Sequence, residues 1–291
     1  MSGVIIRRPV SAIPRLTGSP LLDRIYAARA VRSARELDHR LECLEPPAFK
    51  GLDEAMALLA RAVREGWRIL VVGDFDADGA TGSALAVRGL RAMGARDVCF
   101  RVPDRFRFGY GLSPELVTAV AGLQPRLLIT VDNGISSLAG VAAARALGWR
   151  VLVTDHHLPG PELPQADAII DPNQPGDESG AGNLAGVGVV FFVLAALRRH
   201  LDASGWFAQQ GLARPNLARF LDLVALGTVA DVVALDHRNR VLVEQGLKRI
   251  RAGHCVPGIT ALARVAGCQQ ERVCASDIGF RLGPRLNAAG R

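Results

Sequence analysis

The segment ILVVGDFDADGATG, Ile69–Gly82, restricts the folds open to this chain more than any other. Its apolar residues Ile69–Val72 have the length and composition of a short buried strand. Asp74, Asp76 and Asp78 follow at every second position, then Gly79 and a helical pattern that begins at about Thr81. Carboxylates so close together repel one another, and burial makes each harder to ionise. A cation relieves both penalties, and an apolar strand that aims all three at one place favours a cation over water. A calcium EF-hand is excluded: its twelfth position, counted from Asp74, is Leu85 rather than glutamate, and a strand precedes the loop. A dinucleotide fold or P-loop needs glycines where this chain has aspartates, and no GK[ST] follows.

Strands and helices alternate around this segment. Leu52–Glu65 has apolar residues at helical spacing. Strands are expected at Arg68–Gly73, Asp97–Val102, Leu127–Val131, Val151–Thr154 and Ala168–Ile170. Helices are expected at Thr81–Met93, at Pro114–Leu123 with Ser113 as N-cap, and at Ser137–Leu147. Near-continuous Val/Ile/Leu strands in this rhythm define an α/β fold, a mostly parallel sheet with helices on both faces. The pattern then becomes helical: Gly186–Leu201, Leu217–Val229, Asn239–Ala252 and Pro257–Val265. The expected division is an N-terminal extension, 1–50, with a helical piece at Leu21–Leu44 and two Pro-containing flanks. A catalytic domain, 51–235, and a helical connector, 236–291, follow. The motif-like ending LGPRLNAAGR suggests either a truncated chain or one that continues.

Every expected strand ends in polar residues: Asp74, Asp76 and Asp78; Pro103-Asp104-Arg105; Asp132-Asn133-Gly134; Asp155-His156-His157; and Asp171-Pro172-Asn173. In an open parallel sheet the carboxyl ends share one edge, where ligands bind. Five distant clusters are therefore expected in one crevice. Carboxylates and imidazole without thiolates suit Mn²⁺ or Mg²⁺, one or two ions, with Mn²⁺ the better match for a histidine ligand. Two ions suit attack on phosphorus. The formal charge of +7, carried almost wholly by arginine, agrees with a polyanionic substrate. The five scattered cysteines form no CxxC pair, which argues against a disulfide framework or a zinc site. No apolar run has the ~20 residues of a membrane helix, and no signal peptide opens the chain, so a cytoplasmic protein is expected.

DFDADG at 74–79, DNG at 132–134 and Asp155-His156-His157 together resemble the DHH phosphoesterase superfamily. VPDRFRFGYGLSPE (102–115), LAGVGVVF (184–191), FLDLVALGTVADVV (220–233) and GPRLNAAGR (283–291) narrow the resemblance to its single-strand-specific 5′→3′ DNA exonucleases. The resemblance covers roughly Arg68 to Arg291. It implies that Asp76 binds a first metal with Asp74 beside it, and that Asp132 bridges two metals. Asp78, His156 and Asp231 complete the second site. Asp155 orients the neighbouring histidine, and His157 touches the scissile phosphate. Arg105, Gly186, Gly188, Arg285, Asn287 and Arg291 are implied to meet the nucleic acid. Single-stranded DNA is the implied substrate, held in a cleft too narrow for duplex. A single-strand-binding protein and a helicase are implied partners, and DNA repair and recombination the setting. Other enzymes of the superfamily, such as an oligoribonuclease, a cyclic-dinucleotide phosphodiesterase or a pyrophosphatase, are the alternative. A non-catalytic DNA-binding scaffold is a second, set against the presence of every metal ligand.

Overall fold

A computed structural model of the chain describes residues 13–290. In chain order it comprises α1 (Pro20–Ala28), α2 (Leu52–Arg64), β1 (Arg68–Gly73), α3 (Ala77–Ala92), β2 (Asp97–Arg101), α4 (Arg105–Phe108) and α5 (Pro114–Val120). There follow β3 (Leu127–Val131), α6 (Leu138–Ala146), β4 (Arg150–Thr154), β5 (Ala168–Ile170), α7 (Gly186–Ala203) and α8 (Trp206–Gln209). The chain then runs through α9 (Leu221–Ala230), α10 (His237–Arg251), α11 (Pro257–Val265), α12 (Ala275–Asp277) and α13 (Gly283–Ala289). The strands form one parallel sheet in the order β2-β1-β3-β4-β5.

The two faces are covered because the strands alternate at period two. Ile69 and Val71 of β1, with Leu127, Ile129 and Leu152, point into a large core shared with α2, α3, α7, α9 and α10. Leu70 and Val72, with Leu128, Val151 and Val153, point into a smaller core under α5 and α6. Both sides of β1 are buried, which is why its run of apolar residues is unbroken. Close approach on the large-core side needs glycine. A Cβ at Gly227 of α9 would lie 2.3 Å from Thr81 Oγ1 and 2.8 Å from Asp78 Oδ1.

Several expectations change, among them Pro114–Leu123, which is α-helical to Val120 and ends in a 3₁₀ turn, Ala121–Leu123. The helical piece Leu21–Leu44 is a helix only over Pro20–Ala28. Ala30 then takes a left-handed φ of 58°, and single 3₁₀ turns follow at Ala34–Leu37 and Leu41–Cys43. The helix expected from Thr81 begins at Ala77, because the Asp76 carboxylate accepts the Gly79 N–H and caps it. Asp78 therefore lies in the first helical turn. The stretch expected as one helix, Leu217–Val229, opens with a 3₁₀ turn, Leu217–Phe220, before α9. Ser113 does cap α5, accepting the Leu116 N–H. The N-terminal segment packs on α10 through backbone carbonyls: His237 Nε2 lies 3.0 Å from the Asp38 oxygen, and Gln245 donates to that of His39. Among the described residues no helix is long and apolar enough to cross a membrane.

Candidate metal centre

The order β2-β1-β3 means that the chain leaves β1 in one direction and returns on its other side. The crevice at that reversal, between the carboxyl ends of β1 and β3, is where open α/β sheets bind ligands. The register makes the placement sharper. Gly73 pairs with Val131, Val131 with Thr154, and Thr154 with Ile170. The next row across the sheet is therefore Asp74, Asp132, Asp155 and Asp171. Three of these are pinned by the preceding row: Asp74 N–H donates to Val131 O, Asp132 N–H to Thr154 O, and Asp155 N–H to Ile170 O. All four are buried.

Asp132 stands at the middle of this row with a left-handed φ of 62°, an uncommon conformation for a residue with a Cβ. Its Oδ1 lies 3.0 Å from His156 Nε2. His156 Nε2 is also 3.9 Å from Asp78 Oδ2 and 3.8 Å from Asp231 Oδ2. Asp74, Asp76 and Asp132 form one group whose oxygens can meet a single ion; Asp78, His156 and Asp231 form a second; and Asp132, His156 and His157 form a third. Asp132 thus belongs to the first and third groups and adjoins the second through His156. Gly186 permits this closeness, since a Cβ there would sit 2.6 Å from that of Asp132.

The donor atoms fit a cation better than they fit one another. Asp74 Oδ1, Asp132 Oδ1 and His156 Nε2 are buried, and none makes a hydrogen bond of good geometry, although the last two lie 3.0 Å apart. Each such atom ordinarily costs about 1–3 kcal/mol. Burial, with repulsion from Asp76, pushes Asp74 up to about 6. Burial and repulsion from Asp78 push Asp132 well above the usual carboxylate range, and burial with repulsion from Asp231 does the same to Asp78. Burial also raises Asp231, which lies at the C-terminal end of α9, the end of a helix that disfavours negative charge. Burial lowers His156 and so favours the neutral imidazole, the form that binds metal.

Asp155 differs from its row-mates. Its Oδ1 accepts from His156 N–H (2.8 Å), His157 N–H (3.3 Å) and His157 Nδ1 (2.8 Å), and Oδ2 accepts from Ile135 N–H. Burial raises it, but these hydrogen bonds outweigh burial and hold it below the ordinary value. The same bond raises His157 against the effect of burial. Asp171, pushed up to about 7 by burial, accepts the Asn173 N–H, and Asn173 Nδ2 donates to His156 O at 2.5 Å.

The residues implied to meet nucleic acid have these surroundings. The Gly186 N–H is already engaged: it donates to Asp78 Oδ2 at 2.6 Å, beside Val187 N–H to Oδ1 at 2.9 Å. The first two N–H groups of α7 therefore bind a carboxylate of this chain. Gly188 packs against Leu184. Asn287 Oδ1 accepts the Ala77 N–H at 2.8 Å, and a Cβ at Gly290 would meet the Phe75 carbonyl, so α13 braces the aspartate loop. Arg285 is exposed and donates to the Arg281 carbonyl. Arg291 lies outside the described residues. The β2 cluster does not join the carboxylates: Asp104 caps α4, and the Arg105 guanidinium lies 4.8 Å from the Phe75 ring centre.

Residue-by-residue sequence reasoning missed Tyr110. Its hydroxyl lies 3.1 Å from Asp132 O and 3.2 Å from His157 Nδ1; with the His157 proton directed at Asp155, it donates to Asp132 O. The signal was there in an aromatic residue between Gly109 and Gly111, both at positive φ.

Residues 68–228 match the DHH family, N-terminal domain, and the chain belongs to that family. Asp231 falls just beyond the matched span. The chain is 57% identical over 273 residues to the single-stranded-DNA-specific exonuclease RecJ of Salmonella typhimurium, covering 94% of this chain and 47% of the relative. It spans about half the length of this and the next curated relatives it matches. A crystal structure of exonuclease RecJ bound to manganese superposes with a TM-score of 0.70 at 40% identity, covering 85% of this chain and 59% of that one. RecJ of Thermus thermophilus in complex with Mn²⁺ gives a TM-score of 0.71 at 38% identity, covering 92% and 36%.

Proposed function

We propose that this chain is the catalytic part of a metal-dependent 5′→3′ exonuclease that degrades single-stranded DNA to 5′-mononucleotides, in DNA repair and recombination in the cytoplasm. The observation that carries the reading is that Asp132 Oδ1 and His156 Nε2 are buried 3.0 Å apart without a hydrogen bond of good geometry, and that Asp132 groups with Asp74 and Asp76 while His156 groups with Asp78 and Asp231. Asp74, Asp76 and Asp132 would hold one Mn²⁺ or Mg²⁺, and Asp132, Asp78, His156 and Asp231 a second. Such an ion pair, when bound, activates a water and stabilises in-line attack on phosphorus. The names and bound metals of the RecJ relatives support the same assignment.

The chain's own residues supply the remainder. Asp155 fixes the His157 ring through Nδ1, which leaves Nε2 for a phosphate oxygen. The raised pKa keeps that ring protonated to higher pH, so it donates a hydrogen bond and a positive charge together. Arg105 is placed beside the aspartate loop for a neighbouring phosphate. The bond broken is that between phosphorus and the 3′ oxygen. Residues 51–235 form the catalytic domain of this reading, 1–50 its N-terminal extension and 236–291 a helical connector. A single-strand-binding protein and a helicase are its partners.

The test incubates the chain in excess with Mn²⁺ and 5′-labelled single-stranded DNA, RNA or duplex. Labelled mononucleotides from single-stranded DNA alone are expected. Products from dinucleotides only would move the assignment to another phosphodiesterase of the family, and binding without cleavage would leave a scaffold.

A further inference from the structure

Asp132 adjoins both groups of ligands from a left-handed conformation, an unfavourable one for a residue with a Cβ, and its surroundings hold it there. Its own N–H is fixed by Thr154 O and its carbonyl by the Tyr110 hydroxyl. The turn that follows is fixed by the next residue. Asn133 is fully buried, and its Nδ2 donates to Val131 O at 2.9 Å and to Val72 O at 3.1 Å. Val72 is in β1 and Val131 ends β3, so one amide group ties the two strand ends across the crevice. Gly134 then reverses the chain at φ 115°, where a Cβ would lie 2.4 Å from Thr130 Oγ1.

The Asn133 Oδ1 is buried without a hydrogen-bond partner, so the hydrogen bonds its amide makes are the two donated by Nδ2. A backbone pin that served stability alone would ordinarily be satisfied at both ends of its amide. Here an unsatisfied acceptor is tolerated immediately beside the residue that must take an unfavourable φ. Strain of this kind persists where the surroundings over-determine it.

We infer that Asn133 is a positioning residue: by tying Val72 O to Val131 O it holds Asp132 left-handed, and so sets the bridging carboxylate between the two metal-binding groups. This rests on the metal-centre reading above. Loss of the tie lets Asp132 relax towards ordinary backbone, which carries its carboxylate away from His156 without removing any ligand.

The test measures Mn²⁺ binding to the 291-residue chain by calorimetry, alongside metal-free thermal melts. Asn133→Ala is compared with Ile250→Val, a core truncation in α10 away from the centre. Groups that orient metal ligands typically alter metal affinity roughly 10–100-fold. Asn133→Ala is expected to weaken Mn²⁺ binding by that factor, and the paramagnetic resonance of a coupled Mn²⁺ pair in the wild type should be lost. Ile250→Val should lower only the melting temperature. Should Asn133→Ala fail to fold, Asn133→Ser, which keeps one donor, takes its place, with an intermediate loss of affinity expected. Unchanged Mn²⁺ affinity in the folded variant overturns the inference, whatever the melting temperature does. A wild-type chain that binds no Mn²⁺ would instead overturn the metal-centre reading itself.

Discussion

Asp74→Asn should stabilise the metal-free chain, and by an amount that depends on pH. The Asp74 carboxylate is buried with one oxygen unpartnered, and burial raises it from 3.8 to about 6. A folded-state pKa above the unfolded one makes an acid's ionisation unfavourable to folding. The penalty is absent below the unfolded pKa, grows between the two values, and is complete above the folded one. A shift from 3.8 to about 6 corresponds to about 3 kcal/mol at pH 8, reduced to ~2–3 kcal/mol by the solvent that reaches the crevice. At pH 5 about half of it has accumulated. Asparagine has nearly the same shape and no ionisation to pay for, so the variant should melt roughly 4–8 °C higher than wild type at pH 8 in chelator, with the gap narrowing towards pH 5. Adding Mn²⁺ should reverse the order, because the wild-type carboxylate then has its partner. The assay is thermal unfolding followed by circular dichroism from pH 5 to 8, with chelator or Mn²⁺. Parallel curves for the two proteins in chelator would refute the claim that Asp74 is an uncompensated buried carboxylate.

Asp132→Ala should abolish metal-dependent hydrolysis of single-stranded DNA; retained turnover would remove Asp132 from the centre. Gly186→Ala forces a Cβ to 2.6 Å from that of Asp132, so it should cost about 1–3 kcal/mol and weaken Mn²⁺ binding more than tenfold, read by calorimetry. Asn287→Ala removes the acceptor for the Ala77 N–H and should destabilise the chain by about 1 kcal/mol in denaturant titrations. Arg285→Ala should leave stability alone, weaken DNA binding and lower the slope of log affinity against log salt by about one.

Local chemistry is legible in one dimension, and the sequence alone determined much here. Runs such as Ile69–Val72 and Leu127–Val131 are apolar because both faces of their strands are buried, so strand identity and the parallel class follow directly. Polar residues at the strand ends then had to share an edge. That edge holds the aspartate loop, Asp132, Asp155-His156-His157 and Asp171, as the sequence implied. Asp231 came only through family resemblance, because it reaches the crevice from α9 rather than from a strand end. The tertiary structure decided what pairing between distant segments decides. Register placed Asp74, Asp132, Asp155 and Asp171 in one row, and no local pattern encodes a register between strands. Partner choice separated those four: Asp155 gathered hydrogen bonds from His156, His157 and Ile135, whereas Asp74 and Asp132 kept unpartnered oxygens for a cation. The same competition took the Gly186 N–H for Asp78 and the Asn287 oxygen for Ala77, since a buried polar group binds the nearest complementary group that the fold delivers.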